Sequence, residues 1–345
     1  MTPKDKKHIR TWYWSGAILV FLILVIGGIT RLTDSGLSMT DWKPIMGSIP
    51  PITETQWDEA FDQYKQFPEY KEKNSGMSLA EFQYIFFWEY LHRMLGRLLG
   101  LVFLIPFAWF LIRQKFSRKQ LLRSTLLLTL GLGQGLMGWF MVQSGLIDIP
   151  EVSHYRLAAH LLLAFIIFGC CTWFALDLSD KNQNESVSGG ELKTWLNVFL
   201  AVLLLQVVWG AFTAGLHAGH IYNSFPEMYQ FWLPPELFLV EPVILNFFQN
   251  MTTVQWTHRL LGTILGVMVI AMWGRTFFLK TTKEEKKWML ALFTTVLLQY
   301  GIGVFTLMYH VPIWLGVFHQ AMAMVLFGVA LGTRHRFEYT KQLSS

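Results

Sequence analysis

Eight continuous apolar stretches run through the chain, at 12–29, 83–111, 120–143, 153–177, 192–214, 251–279, 287–309 and 312–333. Each reaches the about 20 residues that an α-helix needs to cross the hydrocarbon layer of a membrane. Apolar residues follow one another without alternating, so helices are predicted rather than barrel strands. The reading is an all-α integral membrane protein with eight transmembrane helices. Composition agrees: of 345 residues, 53% are hydrophobic and 15% charged, against about 25% charged in soluble domains. An aromatic content of 16% excludes a disordered chain.

The formal charge of +5 would suggest a nucleic-acid partner in a soluble protein. In this chain it sorts by loop and reads as topology, with no nucleic acid. Most of the 28 basic residues fall at the N-terminus (Lys4, Lys6, Lys7, Arg10), after spans two, four and six, and at the C-terminus (Arg334, Arg336, Lys341). The opposite loops hold Arg31, Lys43, Lys65, Lys71 and Lys73 among many acids. Both termini are therefore expected in the cytoplasm. The first span begins too early for a cleaved transit peptide, which favours a bacterial plasma (inner) membrane.

Four cations escape this sorting: Arg93, Arg97, Arg156 and Arg259 lie at or just inside the outer ends of spans two, four and six. They either snorkel to the interface or meet anionic groups inside the membrane. Spans two, four, six and eight also carry one histidine each at matched depth: His92, His160, His258 and His319. A lone histidine there commonly bonds a neighbouring helix. Four at one depth point to a bound group, and haem iron suits paired imidazoles among bulky apolar residues. Zinc would favour a tighter cluster. Arg93 and Arg259, each following a histidine, are placed to meet haem propionates.

The chain reads as two pseudo-repeated four-helix bundles, 1–180 and 191–345, joined by a polar linker at 181–190. Glu89-Tyr90-Leu91-His92-Arg93 parallels Gln255-Trp256-Thr257-His258-Arg259. Gln134 with Gly138 parallels Gln299 with Gly303, and Gln206 with Gly210 has the same spacing. One position differs chemically: Glu89 in the first half is Gln255 in the second. A carboxyl one turn from His92 can move protons or stabilise a developing cation, or simply pair with Arg93. The first half is then the reactive one. His217 and His220 lack further ligands for a metal site, and adjacent Cys170 and Cys171 read as packing residues. The isolated pair Asp58 and Asp62 is weak support for a magnesium-diphosphate site of a prenyltransferase.

These segments, with Gly28-Ile29-Thr30-Arg31-Leu32-Thr33, Ser35-Gly36-Leu37-Ser38-Met39, Trp42-Lys43-Pro44, Tyr155-Arg156-Leu157-Ala158-Ala159-His160, Tyr222-Asn223-Ser224-Phe225-Pro226 and His319-Gln320-Ala321, resemble the haem A synthase family along nearly the whole chain. The resemblance implies an oxidoreductase that converts a ring methyl of haem O to a formyl group, by two hydroxylations and loss of water, giving haem A for cytochrome oxidase. It implies that His92 and His160 frame the substrate haem, with Glu89 as catalytic acid group. His258 and His319 would ligate a resident haem b, with Arg93 and Arg259 as further haem-binding residues. Implied partners are the haem O synthase, a membrane electron donor and the cytochrome oxidase assembly machinery. The absence of an outer-loop cysteine pair resembles the proteobacterial and mitochondrial branch. The rival readings are a membrane b-type electron-transfer cytochrome and a haem-binding assembly factor.

Overall fold

The computed structural model describes residues 1–39, 49–146, 150–179 and 190–337. Trp42-Lys43-Pro44 and nearly all of the linker lie outside them. The described residues form α-helices and short 3-10 turns, without a β-strand. The helices are α1 (Pro3–Leu32), α2 (Glu54–Tyr64), α3 (Pro68–Glu72), α4 (Leu79–Ile112), α5 (Arg118–Gln143), α6 (His154–Asp177), α7 (Gly190–Gly215), α8 (Asn246–Gln249), α9 (Met251–Arg275), α10 (Lys283–Met308) and α11 (Ile313–Arg336). Eight are long and apolar enough to cross a membrane, and they correspond to the eight predicted spans. Large apolar side chains such as Leu132, Ile105 and Phe278 point outward, the inverse of a soluble surface.

Three helices, α1, α4 and α10, begin four or more residues before their apolar stretches, α10 on a box of Thr282 and Glu285. Capping boxes explain all three. Thr2 and Asp5 bond each other's backbone at the start of α1, and Ser78 and Glu81 do so at the start of α4. Each box satisfies free N–H groups, so a polar turn continues the helix beyond the lipid.

Helices α1, α6, α7 and α11 pack together at the centre, with α4 and α5 flanking one side and α9 and α10 the other. The core they share includes Tyr13, Ala17, Phe165, Cys171, Phe199 and Phe327. Polar contacts fix the two ends. At one end Asp177 takes His335 at 2.9 Å, Lys119 at 3.7 Å and also Arg123, Glu191 pairs with Arg275 at 2.9 Å, and Lys115 lies 3.4 Å from Asp5. At the other end Lys73 meets Glu151 at 3.2 Å, and Arg31 donates to the Ala214 carbonyl at 3.2 Å. These ties join helix starts to neighbouring helix ends, so successive long helices alternate in direction. The base-rich segments gather at the first end.

Helices α2 and α3 lie in the long segment between α1 and α4, and pack through Trp57, Phe61 and Tyr64 against Phe82 and Phe86 of α4. The buried Tyr64 hydroxyl donates to Glu69 at 2.9 Å and accepts from Asn74 at 2.6 Å. Burial, with nearby Glu89 and Asp34, pushes the Glu69 carboxyl up to about 7, against the opposing Tyr64 bond and Lys73.

Candidate haem-binding site

Each of the four histidines lies against a glycine on the neighbouring helix. A Cβ built on Gly27 of α1 would meet His92 Cε1 at 2.9 Å. On Gly138 of α5 it would meet His160 at 3.1 Å, on Gly210 of α7 His258 at 3.0 Å, and on Gly303 of α10 His319 at 2.7 Å. Any larger residue would displace the ring, so these glycines set the close approach of the helix pairs.

Four residues before each glycine stands the group that engages the same histidine. Gln134 Nε2 lies 3.3 Å from His160 Nε2 and donates to its carbonyl at 3.1 Å; Gln299 Nε2 lies 3.2 Å from His319 Nδ1 and donates to its carbonyl at 3.1 Å. Gln206 Nε2 lies 3.4 Å from His258 Nε2, and His258 also bonds the Gln206 backbone. At His92 the equivalent residue is Ile23, which offers only its backbone. Three of these glutamine–glycine pairs are visible in the sequence as repeat markers, without their link to the histidines. Gly27 with Ile23 is missed, because the glutamine that marks the others is absent.

The remaining ring nitrogens give the chemistry. Nδ1 of His92, His160 and His258 is buried without a hydrogen-bond partner among the described residues. A buried orphan nitrogen costs free energy unless a ligand takes it. The rings of His258 and His319 have centroids 6.4 Å apart, with planes at 83°. His258 and His319 would be the residues to hold a haem iron in this half, supplying imidazole nitrogen as its ligand. Among the described residues, no three His, Cys, Asp or Glu side chains gather as a metal cluster. His217 and His220 belong to no such group among the described residues. His217 contacts Arg31 and Glu151, and partial burial with Arg31 nearby lowers its proton affinity.

Glu89 is buried at 3% exposure. Its Oε2 accepts from the Ser38 hydroxyl and from the Met39 N–H, both at 2.7 Å, and its Oε1 accepts from Arg93 at 2.5 Å. Arg93 also donates to the Met39 carbonyl at 2.9 Å. The acid and the cation together hold the segment that follows α1 over the N-terminal part of α4. In the second half Gln255 donates to the Tyr222 carbonyl at 3.0 Å, and Arg259 donates to the carbonyls of Ser224 and Tyr222 at 2.9 and 2.8 Å. Both arginines expected at propionates thus have terminal nitrogens bonded to loop carbonyls, while Arg259 Nε is buried and unpartnered among the described residues. Arg156 donates to the Phe140 carbonyl at 2.6 Å and lies over its ring. Cys170 and Cys171 are free thiols, and Asp62 of the Asp58 pair is taken by Lys65 at 2.7 Å.

Comparison with known proteins places the chain in a family. The COX15-CtaA family, described as cytochrome oxidase assembly protein, matches residues 10–331. A heme A synthase of Flavobacterium psychrophilum is 42% identical over 338 residues, covering 97% of this chain and 99% of the relative. One of Nitrosospira multiformis is 44% identical, covering 96% and 93%, and one of Parvibaculum lavamentivorans is 46% identical, covering 95% and 94%. The chain belongs to the COX15-CtaA family of cytochrome oxidase assembly proteins.

Proposed function

We propose that the chain is a haem A synthase, an oxidoreductase that converts a ring methyl of haem O to the formyl group of haem A. The substrate haem sits between His92 and His160, and a haem b resides between His258 and His319. The carrying observation is the set of four histidines, each seated on a glycine, three with an orphan buried nitrogen. When bound, the haem b supplies one-electron redox chemistry. The protein's own groups hold and orient. His92 and His160 fix the substrate, and the glutamines and Ile23 fix the imidazole planes. Ser38, the Met39 N–H and Arg93 hold the Glu89 carboxylate one turn from His92, where it serves proton movement at the reacting edge. Arg93 and Arg259 take part in binding the two haems.

Residues 1–180 form the reactive half and 191–345 the redox half, joined by 181–190. The base-rich end faces the cytoplasm of a bacterial inner membrane, with both termini there. The partners are the enzyme that supplies haem O, a membrane electron donor and the cytochrome oxidase assembly machinery. All four histidines lie toward the opposite end from the bases, which suits local chemistry and not an electron wire across the membrane.

The test is chromatography of haems extracted from a host that makes haem O and expresses this chain. Haem A is expected with the native chain. Haem O should accumulate with Glu89→Gln while the reduced b-type spectrum persists. Normal haem A in the variant would remove Glu89 from the chemistry, and no haem A from the native chain would reject the activity.

A further inference from the structure

A groove of about 640 Å³ opens between α1 and α4 near the base-rich end, away from the histidines. Its floor includes Pro106, inside α4. Pro106 has no N–H to give to the carbonyl of Val102, one turn earlier. The Trp12 indole of α1 donates to that carbonyl at 2.8 Å instead. The two helices are thus pinned together at the floor.

The two walls differ in chemistry. On α1, Lys7, Thr11 and Ser15 follow one another at helical spacing, with His8 beside Lys7. On α4, Leu98, Leu101 and Ile105 line the groove and point outward. Lys7 and His8 are exposed, and Lys7 has no ion-pair partner among the described residues. Asp5, the nearest acid in sequence, is taken by Thr2 and Lys115. From Lys7 to Ser15 the groove descends about 12 Å, close to the depth of one leaflet's hydrocarbon.

We propose that this groove binds one anionic phospholipid of the base-rich leaflet. Its phosphate meets Lys7 and His8, its glycerol region meets Thr11 and Ser15, and one acyl chain lies along Leu98, Leu101 and Ile105. Three features select this occupant. The Lys7 ammonium stands at headgroup height without a protein counter-charge among the described residues, basic clefts between membrane helices take lipid phosphates, and the apolar wall continues straight below it. An uncharged isoprenoid would use the wall and leave Lys7 unanswered. The site is independent of the haem assignment, since no residue of the histidine sets lines it.

Native mass spectrometry of the full-length protein in detergent tests this. Phosphatidylglycerol and phosphatidylcholine with matched acyl chains are added separately. One phosphatidylglycerol per chain should be retained at a concentration at least tenfold below that needed for phosphatidylcholine. Lys7→Ser/His8→Ser should abolish that preference. Ile105→Trp, which fills the groove, should lower binding of both lipids. Lys280→Ser/Lys287→Ser, at the same membrane end but on the far half, should leave the preference intact. Helix content by circular dichroism confirms that the variants are folded. Equal retention of the two lipids by the native chain, an unchanged preference in Lys7→Ser/His8→Ser, or an equal loss in the Lys280/Lys287 control would each overturn the proposal. So would a retained uncharged isoprenoid that phosphatidylglycerol fails to displace.

Discussion

Replacing Gly303 by alanine should displace His319 and weaken retention of the haem proposed between His258 and His319. The built Cβ falls 2.7 Å from His319 Cε1, 3.4 Å from Nδ1 and 3.5 Å from Nε2. Ordinary contact starts at 3.4 Å, so the ring must retreat by about 0.7 Å or the α10–α11 pair must part. Forcing one methyl into a packed contact costs about 1–3 kcal/mol. If the cost falls on ligation, retention of the group weakens roughly five- to hundredfold.

The same substitution at Gly210 meets His258 at 3.0 Å, and at Gly266, on the same α9 as His258, it meets nothing within 4 Å. Gly266→Ala gains helix propensity of about 1 kcal/mol. The three variants should therefore rank in severity Gly303→Ala, then Gly210→Ala, with Gly266→Ala equal to the native chain or more stable. The assay is haem b per chain after purification, together with the reduced-minus-oxidised spectrum. A shift toward five-coordinate iron is expected first in Gly303→Ala. Full haem content with an unchanged spectrum in Gly303→Ala would refute the cradle reasoning, as would a loss in Gly266→Ala of the same size.

Two further outcomes test other parts of the fold. Because burial raises the Glu69 carboxyl from 4.5 to about 7, the native state holds an extra proton between those values, and its contribution to stability is present below about pH 4.5 and is lost as pH rises through 7. Hydrogen exchange across 54–72 should show stronger protection at pH 5 than at pH 8, after correction for intrinsic rates, and Glu69→Gln should flatten the difference. Trp12→Phe leaves the Val102 carbonyl without its donor and should cost about 1–2 kcal/mol, read as a lower melting temperature in detergent; Pro106→Ala restores the helix N–H, so the same Trp12 change in that background should cost measurably less, and equal costs would break the link.

The membrane spans could be read because lipid demands long uninterrupted apolar helices, a signal that survives any detail of packing. Their ends could not: the capping residues Thr2 and Ser78 extend α1 and α4 past the apolar runs. Helices α2 and α3 escaped because an amphipathic helix of eleven residues leaves a weak period inside a long polar segment. The four histidines were visible as a matched set, and so were three of the glutamine–glycine pairs. What joins them is contact between helices. Gly27 reaches His92 across α1 and α4, and Ser38 reaches Glu89 from 51 positions away. Spacing along one helix contains no trace of either contact.

The two loop clamps bear on what Glu89 is for. In each half a residue three positions before a histidine, with an arginine one position after it, holds the backbone of an outer segment: Glu89 and Arg93 hold 38–39, and Gln255 and Arg259 hold 222–224. In the second half an amide performs this holding. The clamp alone therefore does not require an acid, and a neutral residue of the same shape suffices beside the same arginine. What glutamine cannot supply is a carboxylate one turn from His92. This makes Glu89→Gln a clean separation of the two roles. The Arg93 bond to the Met39 carbonyl stays available, the segment stays docked, and only the acid is removed. If the variant instead lost its fold or its haem b, the carboxylate would be carrying the clamp, and the contrast between the halves would reflect packing and not chemistry.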